Sequence, residues 1–139
     1  VEIVQRFYID KKNYYVNDIE KEMDIAPMIK NGRTFLPVRY VTQTLGAVVE
    51  WDDIEKKVTV RLNDKTVELW IGIDTARVNG EEVPLDEAPF IYEGRTVLPM
   101  RFVGENLDMK VEWNGEEREV TLYNSTYVKN HPEEFEEIL

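Results

Sequence analysis

A single histidine (His131), a single serine (Ser125) and no cysteine are all that this 139-residue chain offers for imidazole, hydroxyl-nucleophile or thiol chemistry. Without cysteine there is no disulfide, no thiolate nucleophile and no thiolate metal site. Copper and zinc sites draw on imidazole and sulfur ligands, so one histidine in the C-terminal tail gives no cluster for either metal, and no cofactor is expected. Ser125 lies in the turn-like Asn124-Ser125-Thr126 with His131 as its only imidazole base; the same three residues fit a glycosylation acceptor. Carboxylates are plentiful, 28 Asp and Glu against 17 Lys and Arg for a formal charge of −11, which makes a glycosidase-type dyad illegible. Asp52-Asp53, and Asp18 with Glu20, are dense enough to offer calcium oxygen ligands, but they lack EF-hand spacing. The acid excess repels phosphate backbones and anionic bilayers, which argues against sequence-independent nucleic-acid binding and against binding to anionic membrane surfaces. No apolar run is long enough to insert in a membrane. The chain therefore reads as non-enzymatic.

The sharpest polar feature is a set of arginines that recurs. Gly32-Arg33-Thr34-Phe35-Leu36-Pro37-Val38-Arg39-Tyr40-Val41 matches Gly94-Arg95-Thr96-Val97-Leu98-Pro99-Met100-Arg101-Phe102-Val103 at an offset of 62. The same offset pairs Asn17 with Asn79, Val49-Glu50-Trp51 with Val111-Glu112-Trp113, and Val58-Thr59 with Val120-Thr121. From residue 15 to 60 no gap is needed, and 21 of 46 positions are identical, which marks a duplication. The units are 1–62 and 63–123, followed by an acidic tail, 124–139, without a counterpart. Arg33, Arg39, Arg95 and Arg101 admit two readings: an anion or carbohydrate-carboxylate site in each copy, or structural braces that pair with Glu50 and Glu112 or cap backbone carbonyls.

The elements that position these residues follow from local pattern. Ile3–Ile9 and Tyr14–Asn17 are β-branched and aromatic around a polar turn and predict a hairpin; residues 66–73 and 76–79 repeat it, with Asn79-Gly80 as a turn signal. Asn31-Gly32 joins a second hairpin, and Glu93-Gly94 its copy. Pro37 and Pro99 suit the first turn of a helix; Val38, Val41 and Leu45 then fall on one helical face, closed by Gly46, with Asp108 at the second helix end. Val49–Trp51 and Val58–Val60 alternate as strands. The fold class is α+β: each unit is a short antiparallel sheet of about five strands around one helix. A 60-residue unit is marginal alone, so the two should pack into one pseudo-symmetric body. In the tail, Pro132 starts a short helix whose Phe135, Ile138 and Leu139 form an apolar face.

Trp51 and Trp113 sit on the apolar phase of their strands and are expected in the core. Tyr8, Tyr14, Tyr15, Trp70 and Tyr92 are the aromatics expected at the surface, where flat rings can stack on sugars.

Gly-Arg-Thr-x-x-Pro-x-Arg-x-Val, followed by a leucine at the helix end, Val-Glu-Trp and a closing Val-Thr strand, resembles the copper amine oxidase N-terminal-like domain, also called a stalk domain. Both copies carry the pattern, so the resemblance covers nearly all of residues 1–123. It implies a short antiparallel sheet wrapped around a helix, often in tandem, in secreted and surface proteins of Gram-positive bacteria. It implies no copper chemistry, because in the enzyme the metal belongs to another domain. The expectation is a non-catalytic extracellular stalk or interaction module whose partner is a protein or a cell-wall polysaccharide; the alternative is a carbohydrate-binding module using exposed aromatics. Homodimerisation through edge strands or the tail is a further expectation. The chain opens on Val1, so it reads as a processed or excised form, and the absence of a signal peptide says nothing about secretion.

Overall fold

The computed structural model describes residues 1–135. The first half runs β1 (Val4–Tyr8), β2 (Asn13–Val16), β3 (Ile19–Glu22), β4 (Met28–Lys30), β5 (Arg33–Pro37), α1 (Arg39–Leu45), β6 (Val48–Asp52) and β7 (Lys57–Leu62). The second half repeats that order as β8 (Lys65–Trp70), β9 (Thr75–Val78), β10 (Glu81–Pro84), β11 (Phe90–Tyr92), β12 (Arg95–Pro99), α2 (Met100–Asn106), β13 (Lys110–Asn114) and β14 (Glu119–Tyr123). A third helix, α3 (Ser125–Asn130), and a 3-10 turn (Pro132–Glu134) follow. None of the described helices is long and apolar enough to cross a membrane.

The sheets are not divided between the halves as the sequence pattern suggests. One five-stranded sheet has the order β13-β14-β1-β2-β3 and the other β10-β9-β8-β7-β6. Each takes three strands from one half and two from the other. The cause is local. Only Asn63 and Asp64 separate the paired residues Leu62 and Lys65, and Asn63 adopts φ 53°, so β7 must turn straight into a hairpin with β8. Closing the other sheet leaves β1 to pair with β14, Val4 opposite Tyr123. A four-stranded sheet, β11-β12-β5-β4, joins the halves at its centre. There Leu36 lies opposite Leu98, flanked by Phe35 opposite Pro99 and Pro37 opposite Val97. The register is thus symmetric about the two leucines, both fully buried.

β3 and β10 extend the predicted hairpins. Asn79 (φ 51°) and Gly80 (φ 85°) make the expected turn, but the strands that pair with β2 and β9 are mostly exposed and charged and carry no apolar period. Pro37 ends β5 instead of opening a helix, while Pro99 is the N-cap of α2. Gly46 (φ 75°) and Asp108 (φ 64°) supply the left-handed residues after the two helices.

The main core runs through both halves and includes Phe7, Tyr14, Met23, Leu36, Val41, Leu69, Leu98, Met100, Val103 and Leu122, and a smaller cluster of Val4, Tyr123 and Tyr127 lies under the tail. Gln5, fully buried, donates Nε2 to the Val41 carbonyl at 3.4 Å and leaves its Oε1 without a partner among the described residues. The tail starts as a helix earlier than expected. Asn124 caps α3 by accepting the Tyr127 N–H, and it donates to the Val1 carbonyl at 2.6 Å. The acceptor-like tripeptide therefore spends its asparagine on tying the two chain ends together. Phe135 packs on Tyr123, with ring centroids 5.1 Å apart. The predicted contacts of Ile138 and Leu139 lie outside the described residues.

Candidate functional site

The repeated arginines reach across the strand exchange. Arg33 binds Asp86 through Nε and Nη2 at 3.1 and 3.0 Å, and Arg95 binds Asp24 through Nε at 2.8 Å. Asp24 and Asp86 are themselves 62 residues apart, so each half braces the other by the same bond. Glu50 and Glu112, the partners expected from sequence, are engaged elsewhere. Glu50 pairs with Arg61, and Glu112 accepts the Tyr123 hydroxyl at 2.5 Å. Arg101 does cap a carbonyl, donating to Val111 at 3.0 Å.

Other residues at equivalent positions also close turns. Asn17 accepts the Val4 N–H at 2.9 Å and Asn79 the Thr66 N–H at 2.8 Å. Asp52 accepts the N–H groups of Ile54 and Glu55, as Asn114 does those of Glu116 and Glu117. Asp53 pairs with Lys56 at 2.8 Å, and Glu20 accepts from Asn13. The acidic pairs singled out for calcium are thus partly committed to turn and ion-pair contacts.

The surroundings of the two aspartates differ. Asp24 also accepts the Tyr40 hydroxyl at 2.9 Å and Arg39 Nη2 at 3.3 Å, and Arg39 donates to the Tyr40 oxygen at 2.9 Å. The hydrogen bond from Arg95, helped by that from Tyr40, holds the Asp24 carboxyl below its ordinary pKa. In the second half Phe102 stands in place of Tyr40 and has no hydroxyl. Arg101 turns away to Glu105, at 3.4 Å, and to the Val111 carbonyl. The Asp86 side chain is 75% exposed against 34% for Asp24. Beside it opens a cleft of about 590 Å³ lined by Arg33, Asp86, Met100, Arg101, Phe102 and Trp113.

The aromatic expectations need correction. Trp51 and Trp113 are each 44% exposed, not buried. Alternation does put Trp113 on the same face as Val111, but β6 and β13 are edge strands, so their inward-phase side chains overhang the core. Tyr14, expected at the surface, is buried and stacked on Phe7 at 5.1 Å. Tyr8 and Tyr15 meet edge-on at 6.2 Å. Trp70 is half-buried between Lys57 and Arg77 and donates Nε1 to Glu55 at 3.4 Å. Tyr92 is exposed on β11. These five do not form one surface; the fold brings together only Tyr8 and Tyr15.

A metal-ligand grouping that the sequence reading missed lies at the chain ends. His131 places Nδ1 3.2 Å from Glu134 and 3.9 Å from Glu133, and Nε2 3.1 Å from Glu2. Ligand atoms of His131, Glu133 and Glu134 lie within 4.8 Å of one another. The 3-10 turn folds these carboxylates back onto the imidazole, a geometry hidden by the expectation of a continuous helix from Pro132. Both ring nitrogens already face carboxylates, so the group serves as a clasp between the ends.

A comparison with curated proteins returned no match. A family model described as the copper amine oxidase N-terminal domain matches residues 6–122, a span that runs from within β1 to within β14 and so takes in most of both halves. That family is a non-catalytic, stalk-like domain family. The chain belongs to the copper amine oxidase N-terminal domain family.

Proposed function

We propose that the chain is a non-catalytic interaction module of a secreted or surface-exposed bacterial protein, built from two tandem copies of the family unit, and that it stands off from its attachment point without adding length. The observation that carries the reading is the meeting of the N-terminal residues with the segment 123–131. β1 pairs with β14, Asn124 binds the Val1 carbonyl, and His131 binds Glu2. Val1 and Asn130 therefore lie at one corner of the body. Such a body adds little span between its neighbours and projects its remaining surface outward, which suits binding better than spacing. The repeated arginines and asparagines support the same reading, because their bonds hold the fold together. The module's partner is expected to be a protein or a wall polysaccharide.

The test is resonance energy transfer between dyes at residues 1 and 129. High transfer that collapses only when the protein unfolds is the expected result. Low transfer in the folded protein would place the ends apart and restore the spacer reading.

A further inference from the structure

We propose that the cleft beside α2, lined by second-half residues and by Arg33 of the first half, is a binding site for a neutral glycan with no equivalent beside α1. The site rests on the interaction-module reading and names its ligand class. Three substitutions between the halves, at positions 62 apart, distinguish the surroundings of α2 from those of α1; of the three, Phe102 lines the cleft and Ala76 and Leu69 lie buried away from its lining. Tyr40, whose hydroxyl ties Asp24 to Arg39, becomes Phe102. Tyr14, against which the Tyr40 ring is held edge-on at 5.7 Å, becomes Ala76. Phe7, on which Tyr14 stacks, becomes Leu69. The first half thus fills its corner with a chain of rings ending in a hydroxyl on a carboxylate. The second half keeps the ring of Phe102 but has lost the two rings behind it and the hydroxyl.

What is released is what a sugar needs. Oδ2 of Asp86 is held by Arg33, while Oδ1 has no protein partner among the described residues. Arg101 keeps its side chain 57% exposed. Trp113 presents a partly exposed indole, flat and apolar with a polar edge, which matches a pyranose with its apolar face and hydroxylated rim. A mainly apolar recess with a few convergent polar groups is the general form of a small-ligand site. The charge selects among glycans. Asp86, Glu87, Glu105 and Glu112 outnumber Arg33 and Arg101 around the cleft, on a chain of net charge −11. Uronate and phosphate polymers are therefore repelled, and neutral chains are not.

The probes are soluble hydroxyethylcellulose, xylan, galactomannan and mixed-linkage β-glucan, with polygalacturonate as the acidic comparison, in affinity electrophoresis. At least one neutral glycan should retard the protein and polygalacturonate should not. Trp113→Ala should weaken that retardation at least about 30-fold, as expected for loss of an aromatic anchor. Trp51→Ala, at the equally exposed counterpart, should leave it unchanged. Phe102→Tyr, which offers Asp86 the hydroxyl that Asp24 already holds, should also weaken it, with the circular dichroism spectrum of the parent retained. Absence of retardation by every neutral glycan would overturn the inference, as would an equal effect of Trp51→Ala and Trp113→Ala or an unaltered Phe102→Tyr variant. Those failures would leave the end-to-end distance, and with it the module reading, untouched.

Discussion

Leu98→Ala tests whether the strand exchange makes one folding unit. Leu98 is fully buried, pairs with Leu36 across the centre of the four-stranded sheet, and belongs to the core shared by both halves. Emptying such a site costs about 2–5 kcal/mol from lost transfer energy and the residual cavity. With a urea dependence of about 1–3 kcal/mol per molar, the unfolding midpoint should fall by about 1–2 M. Two single-tryptophan proteins report on the two five-stranded sheets. One keeps Trp51 on β6, with Trp70→Phe and Trp113→Phe; the other keeps Trp113 on β13, with Trp51→Phe and Trp70→Phe. Because β7 pairs with β8 and β1 with β14, neither sheet can persist when one half unfolds. Both probes should therefore shift to the same lower midpoint, although Leu98 belongs to the second half alone. A shift seen only by Trp113, or two separate transitions in the parent protein, would refute the reasoning.

Gln5→Leu should raise the melting temperature by about 3 °C, the effect of roughly 1 kcal/mol in a domain of this size; its buried Oε1 has no partner among the described residues, and Val67 fills the equivalent place with an apolar side chain. A lower melting temperature would show that the long bond to Val41 outweighs the orphaned oxygen. Burial pushes the Tyr8 and Tyr123 hydroxyls up to about 12, helped by their carboxylate partners Glu119 and Glu112. A phenol pKa raised in the folded state stabilises it below the ordinary value near 10, and that contribution is lost as pH rises through 12. Phenolate absorbance should keep growing above pH 11 while the fold persists, and a titration complete by pH 11 in the folded protein would contradict the assigned burial.

The hairpin turns, both main helices and the strands β5, β6, β7 and their copies were legible because each has a local signature: Asn-Gly, an i, i+3, i+7 apolar face, or alternation around Trp51 and Trp113. β3 and β10 were not, because their stability comes from pairing with a neighbour instead of from an apolar face. The exchange of strands was also hidden. Repeat length reports where one unit ends, but not which strand its first strand joins, and the deciding residues are the two of the Asn63-Asp64 turn. Trp51 and Trp113 were misplaced for a related reason: period 2 gives the face of a strand and says nothing about its place at the edge of a sheet. Arg33 and Arg95 were recognised as repeating polar features, yet their partners Asp86 and Asp24 lie 53 and 71 residues away, beyond any local pattern. The cleft depended on a difference between copies, Tyr40 against Phe102, that reads in sequence as a conservative change.

The pairing of Leu36 with Leu98 is self-complementary, each leucine meeting its own counterpart. Contacts of this kind are isologous, the form used by two-fold dimers. Borne on separate molecules, the same strands would hold together only as far as protein concentration allowed. Here the Asn63-Asp64 turn carries both partners on one polypeptide and turns their meeting into an intramolecular event of high effective concentration. Dilution, which dissociates a dimer, leaves this pairing intact.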